Sequence, residues 1–135
     1  MAISRKIGRP DLFITMTCNP KWPEIQRYLK SLPKGLTAND IPHFTCRLFY
    51  QKILSLIKDL ENVFGTVRAY VYTIEFQKRG LPHMHFLVTL KNKLLNADDI
   101  DNFIRAEIPD KSKFPKLWYK VTKHMLHGPR TDSML

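Results

Sequence analysis

The chain has 135 residues, enough to bury the core of one domain without disulfides or structural metals. Its 22 basic and 12 acidic residues give a net charge of +10, which favours a polyanionic partner such as nucleic acid. No apolar run approaches the roughly 18 residues of a membrane span, no signal-peptide core opens the chain, and two cysteines are too few for a disulfide framework. We therefore expect an intracellular protein without a membrane segment.

The N-terminal residues predict a basic arm followed by a strand. Residues 1–10 carry three basic side chains and precede a single domain of residues 11–135. In residues 11–18, aliphatic and other side chains alternate, which is typical of a strand that is buried on one face. The alternation places Thr15 and Thr17 on the face opposite the aliphatic residues.

Four helices are predicted beyond this strand. They span about 23–31, 41–62, 97–105 and 115–126. In the second, apolar residues recur at steps of three and four, which indicates a long amphipathic helix that serves as scaffold. Glu107-Ile108 is predicted to form a brief edge strand.

Residues 69–90 predict a β-hairpin. Two strand-like runs flank Lys78-Arg79-Gly80, and a three-residue loop with glycine in the left-handed conformation is a common hairpin connection. This loop pairs Glu75 with His83 and leaves an apolar face to receive the long helix. A two-residue loop would instead place Phe76 opposite His83 and mix apolar with polar residues. The hydrophobic pattern therefore favours the three-residue loop.

Polar side chains gather on the other face of this hairpin. His83 and His85 alternate along its second strand, and Glu75 and Gln77 alternate along its first. Because opposed and diagonal residues on one face lie within reach of each other, both imidazoles and one of Glu75 or Gln77 are expected to converge. Such a set suits a divalent metal site with open positions. The alternative is that the histidines are structural or solvated.

The element order predicts an α+β fold in which an antiparallel sheet carries its helices packed on one face. The histidine face is then open, and Thr15 and Thr17 share it if the first strand neighbours the hairpin. Such a polar face can hold a phosphate backbone. Lys78 and Arg79, at the hairpin tip, lie where a phosphate beside the metal would be bound.

Three blocks of the sequence resemble, in order, the Rep domain of Helitron transposases. They are residues 12–25 (LFITMTCNPKWPEI), 75–85 (EFQKRGLPHMH) and 123–129 (KHMLHGP). This Rep domain is the rolling-circle "HUH" endonuclease of eukaryotic transposons. The resemblance spans nearly the whole chain and implies an HUH/Rep-like fold of the ferredoxin- or RRM-like class.

The resemblance also implies a chemistry. HUH endonucleases nick single-stranded DNA with a tyrosine, which becomes linked to the 5′ phosphate, and they then transfer the strand. By motif, His83 and His85 would hold Mg²⁺ or Mn²⁺, with Gln77 as the third ligand and Glu75 as its alternative. Single-stranded DNA would be the partner, a helicase domain would follow in the same polypeptide, and the protein would be nuclear.

One feature of the family is missing from this sequence. Helitron Rep domains carry a pair of tyrosines on a helix beyond the last block, and the chain has no such pair. Only Tyr119 is placed remotely like a nucleophile, and the neighbouring Lys120 and Lys123 could contact DNA. We therefore expect metal and DNA binding without efficient cleavage, from a piece truncated before its nucleophiles. The alternative is a non-catalytic single-stranded DNA-binding remnant or domesticated domain. That alternative predicts aromatic residues on the open face, where Phe13 alone is well placed.

Overall fold

A three-stranded antiparallel sheet forms the centre of the first part of the chain in this computed structural model, which describes residues 2–77 and 80–126. The strands are β1 (Leu12–Thr17), β2 (Val67–Phe76) and β3 (Pro82–Leu90). Their order in the sheet is β1-β3-β2, so the second strand of the hairpin lies in the middle. Together with the helices, this sheet confirms the predicted α+β class.

Along the described part of the chain, α-helices precede, separate and follow these strands. They are α1 (Ala2–Ile7), α2 (Pro23–Lys30), α3 (Pro42–Phe64), α4 (Ala97–Phe103) and α5 (Pro115–His124), with a 3₁₀ turn at Ala38–Asp40. The chain divides into two compact units, Met1–Leu94 and Leu95–Leu135. The first unit contains the sheet with α1 to α3, and the second contains α4 and α5. Across the described residues, no helix combines the length and apolar character needed to cross a membrane.

Local chemistry sets the ends of the helices. Proline occupies the first turn of α2, α3 and α5, where the missing N–H has no partner to lose. Gly65 directly follows the last residue of helix α3, and its φ of +78° is costly for other residues. The backbone N–H of Gly65 donates a hydrogen bond to the carbonyl oxygen of Glu61 at 3.0 Å, which closes the last turn. The predicted N-terminal arm contains the short helix α1.

The prediction of a strand at Glu107-Ile108 is wrong. Residues 104–114 contain no strand in the structure. Of the two residues only Ile108 is apolar, and Pro109 directly after it has no backbone N–H to donate to a ladder, so the run is too short to form a strand.

The core of the first unit lies between α3 and one face of the sheet. On β3, Met84, Phe86 and Val88 are completely buried, which confirms the apolar face predicted for this strand. Helix α3 contributes the buried Phe49 and Ile53 to the same hydrophobic cluster. Burial of each such side chain contributes about 1.5–3 kcal/mol relative to exposure. This layer therefore holds β3 in one register, with its other face turned away from the helix.

The apolar face of β2 is covered less completely than the pattern predicts. Ile74 and Phe76 remain 37% and 61% exposed. With Tyr50 and Cys46 of α3 they line an apolar groove of about 300 Å³. Because β2 is an edge strand, another strand flanks it on one side only. The cover of its apolar face is thinnest at Phe76, the last residue of the strand before the hairpin turn.

Candidate functional site

The hairpin turn fixes the position of the histidines. Gly80 has a φ of +77°, the left-handed conformation predicted for it. The backbone N–H of Gln77 donates to the carbonyl oxygen of Leu81 at 3.1 Å, and that of Gly80 donates to the carbonyl oxygen of Gln77 at 2.7 Å. The three-residue loop is therefore confirmed. Lys78 and Arg79, predicted to contact phosphate, lie outside the described residues.

The open face is defined by three rows of side chains that run across β1, β3 and β2. The rows are Thr17, His83 and Glu75, then Thr15, His85 and Thr73, then Phe13, Leu87 and Val71. All nine residues are exposed or half-buried. The predicted pairing of Glu75 with His83 is thus confirmed. Because β1 neighbours β3, Thr15 and Thr17 share this face with the histidines.

Each histidine ring on the open face is held at one nitrogen. Thr17 Oγ1 and His83 Nδ1 are hydrogen-bonded at 2.7 Å, and His85 Nε2 lies 3.2 Å from Glu75 Oε2. The two imidazoles meet edge to face, with their centroids 4.7 Å apart. A metal-binding histidine is commonly fixed in this way, by a partner on the nitrogen that does not ligate. In such a role His83 would use Nε2, and His85 would use Nδ1 as long as Glu75 stays on its Nε2.

The site is accessible and only weakly charged. The side chain of His85 is 36% exposed and that of Glu75 is 68% exposed. Their contact is an ion pair only when His85 is protonated, and exposed pairs contribute about 0–1 kcal/mol. Phe13 borders the site with its ring almost parallel to that of His85, at 14° and 6.0 Å between centroids. A ligand could therefore displace the Glu75 contact at little cost.

The donor set fits a divalent metal in part. Two imidazoles lie side by side, but within residues 2–77 and 80–126 no three His, Cys, Asp or Glu side chains are arranged to hold an ion. Glu75 lies against His85, and the exposed Gln77, directly after β2, offers an amide oxygen as another donor. Two nitrogen ligands and one oxygen ligand suit Mn²⁺ better than Mg²⁺, which prefers oxygen throughout.

The remaining predicted residues lie in the second unit. Tyr119 is 51% exposed on α5. The ammonium group of Lys123 donates a hydrogen bond to the hydroxyl oxygen of Tyr119 and lies 4.8 Å from the centre of its ring. Lys120 and Lys123 are both exposed on the same helix. Of the predicted residues, the structure therefore brings the threonines, the histidines and Glu75 onto one face.

Two contacts at the site were not predicted. They are the hydrogen bond of Thr17 with His83 and the stacking of Phe13 on His85. Both join β1 to β3, and Thr17 and His83 are 66 positions apart in the sequence. The alternation in β1 did indicate that Thr17 and Phe13 share a face. It carried no information on which strand would lie beside them.

Comparison with known proteins identifies a family that this chain matches. The family model of the Helitron helicase-like domain at the N-terminus matches residues 1–88, which include β1, β2 and both histidines of β3. In addition, 67 residues are 37% identical to a stretch of Toll-like receptor 4 from Equus caballus, covering 49% of this chain and 8% of that receptor. The chain therefore spans less than a tenth of that relative, and this likeness carries no argument about receptor function.

Proposed function

The chain belongs to the family of Helitron helicase-like domains at the N-terminus, and from this premise we propose that its open face nicks and transfers single-stranded DNA with the help of a divalent metal ion. It is a domain related to the Helitron transposases. The observation that carries the proposal is the pair of imidazoles of His83 and His85, which lie 4.7 Å apart between centroids on a polar sheet face. Core packing does not require two histidines there, because they lie on the face opposite Met84, Phe86 and Val88, the completely buried residues of β3.

His83 and His85 are the proposed metal ligands, and Gln77 or Glu75 is the third. Thr17 would keep the His83 ring in one orientation through the bond to Nδ1. The ion, Mg²⁺ or Mn²⁺, would supply Lewis-acid chemistry at the scissile phosphate. Neutral imidazoles are required for this binding, so metal affinity is expected to fall as the pH is lowered.

Single-stranded DNA is the proposed partner of the open face. The net charge of +10 favours a polyanion. The exposed hydroxyl of Thr15 can contact phosphate, and Lys78, Arg79, Lys120 and Lys123 are the candidate cations. Each phosphate neutralised on a single strand contributes about −0.7 to the slope of log affinity against log salt. The salt dependence of binding therefore counts the cations that take part.

The nucleophile of the proposed reaction is a tyrosine. It would attack the scissile phosphorus, form a bond to the 5′ phosphate and release the 3′ oxygen as a hydroxyl. Among the described residues of β2, Tyr70 and Tyr72 lie on the core side of the sheet and do not face the histidines. Tyr119 is the candidate in this sequence. Tyrosines elsewhere in a longer polypeptide with a helicase domain, acting in the nucleus, are the other source.

A second candidate function is single-stranded DNA binding without catalysis. It is favoured by the finding that no group of three His, Cys, Asp or Glu is arranged for an ion in the part of the chain that the structure describes. In that case DNA affinity would be unchanged by a chelator and by His83→Ala. Under the first proposal, Mn²⁺ strengthens DNA binding and His83→Ala removes that gain.

Titration calorimetry with Mn²⁺ tests the proposal directly. The wild type is expected to bind one ion, and His83→Ala is expected to abolish that binding. His43→Ala is the matched control, because His43 is an exposed histidine on α3 whose ring contacts Tyr28. Glu75→Ala and Gln77→Ala, measured in parallel, identify the third ligand by the larger loss. A wild type that binds no Mn²⁺ would leave the second candidate function in place.

A nicking assay tests the chemistry separately from metal binding. A labelled single strand is incubated with Mn²⁺ and with wild type, His83→Ala or Tyr119→Phe, and covalent protein–DNA adducts are counted on a denaturing gel. Adducts that need His83 but persist in Tyr119→Phe would exclude Tyr119 as the nucleophile. We expect little turnover by this sequence alone, since it carries no tyrosine pair beyond the last of the three blocks.

A further inference from the structure

The third row of the open face is entirely apolar. It consists of Phe13, Leu87 and Val71, which oppose one another across β1, β3 and β2. Their exposed fractions are 64%, 39% and 48%. We call these three residues the apolar row. It lies one row from His85 and two rows from His83, on the side away from Glu75.

Folding of the first unit does not explain the apolar row. Its core lies on the opposite face, where Met84 and Phe86 are fully buried. Single exposed apolar residues are common on protein surfaces, whereas a contiguous set beside polar groups is typical of a binding site. The Phe13 ring also lies against the site, nearly parallel to the ring of His85 with 6.0 Å between their centroids.

The layout of the open face matches the chemistry of a nucleotide. A nucleotide joins a charged phosphate to a flat base with apolar surfaces. On the open face, imidazoles and hydroxyls lie beside an apolar, partly aromatic row. Neighbouring rows are two residues apart along a strand, which corresponds to about 6.8 Å. A phosphate at the histidines would thus leave its sugar and base within reach of Phe13.

We propose that the apolar row is a nucleobase platform, on which Phe13 stacks the base of the nucleotide adjacent to the phosphate held at His83 and His85. This inference rests on the proposed binding of single-stranded DNA. The side chains of the apolar row have no hydrogen-bonding groups, so the platform recognises a base by its flat surface and tolerates any sequence. Val71 and Leu87 widen the apolar floor on which the base lies.

Fluorescence anisotropy with a fluorescein-labelled dT15 strand, in EDTA and low salt, tests the platform without metal or turnover. Phe13→Ala is expected to weaken binding roughly tenfold, the usual effect of removing one aromatic stacking partner. Phe76→Ala is the matched control. Phe76 is a strand phenylalanine with a similar exposed fraction, 61% against 64%, but it lies on the opposite face of the sheet. The control is expected to bind like the wild type.

A strand of the same length without bases separates stacking from other effects. Wild type and Phe13→Ala should bind the abasic strand equally, because this strand offers no base for Phe13 to stack on. Phe13→Trp should restore affinity for dT15, while Phe13→Leu, which keeps apolar bulk and folding, should not. Circular dichroism checks that each variant is folded.

The outcomes distinguish the platform from the proposed function. Wild type that binds dT15 no more tightly than Phe13→Ala, or a loss that is equal on the abasic strand, overturns the platform and leaves DNA binding intact. A wild type that does not bind dT15 at all overturns both.

Discussion

Replacement of Thr17 by valine tests whether the hydroxyl beside His83 orients that ring for ligand binding. The substitution keeps the branched shape and removes the oxygen that lies 2.7 Å from Nδ1. A hydrogen bond of this kind contributes about 0.5–1.5 kcal/mol to stability, and the exposure of Thr17 places it at the lower end of that range. For a chain of this size, the melting temperature is then expected to fall by about 2 °C.

The effect on metal binding should exceed the effect on stability. Loss of an outer partner typically lowers the metal affinity of a histidine site by roughly 10–100-fold, because the ring orientation and tautomer are no longer fixed. Titration calorimetry with Mn²⁺ measures the affinity, and ¹⁵N shifts of the His83 ring report its tautomer. Thr15→Val is the matched control, since Thr15 is also exposed and lies opposite His85. Equal affinities in the two variants would refute the reasoning.

Three further predictions concern the scaffold of the site. Gly80→Ala should lower the free energy of unfolding in urea by about 1 kcal/mol through its positive φ alone, since φ is +77° and an added Cβ would meet Asn39 only at 4.0 Å; an unchanged midpoint would contradict this. Phe86→Ala should destabilise by about 3–5 kcal/mol in the same assay, because the ring is completely buried. Burial, with Cys46 nearby, raises the pKa of the Cys18 thiol from 9.0 to about 11. The protonated Cys18 thiol therefore stabilises the fold fully below pH 9, and this stabilisation is lost as the pH rises towards 11. Thermal melts over that range should show the loss in the wild type but not in Cys18→Ala.

The register of the hairpin could be predicted from the sequence because its two faces differ in chemistry. A slip of one residue would bring His83 and His85 under α3 and turn Met84 and Phe86 to solvent. Both of the latter side chains are completely buried, so that slip is unfavourable by several kcal/mol. The glycine in the turn agrees with the same register. The glycine in the turn and the burial of the apolar side chains therefore favour the same register.

The place of β1 in the sheet and its contacts with the histidines could be predicted only in part. Alternation indicated which of its residues share a face, but the choice of β3 as neighbour depends on contacts between distant parts of the chain. The hydrogen bond between Thr17 and His83 follows from that choice, as does the stacking of Phe13 on His85. The exposure of Phe76 could not be predicted for a similar reason. Alternation shows on which face of the sheet a residue lies, but not how far a helix extends over that face.

The register also bears on the third metal ligand. Glu75 lies directly opposite His83 and diagonal to His85, whereas Gln77 pairs with Leu81 across the turn, one row further from both rings. Diagonal neighbours remain within reach of long side chains, so Gln77 can approach His83 while Glu75 can approach both rings. The contact that joins Glu75 to His85 is an exposed pair that contributes about 0–1 kcal/mol, too little to withhold the carboxylate from the proposed metal ion. Geometry therefore favours Glu75, and the larger loss of Mn²⁺ affinity is expected in Glu75→Ala rather than in Gln77→Ala.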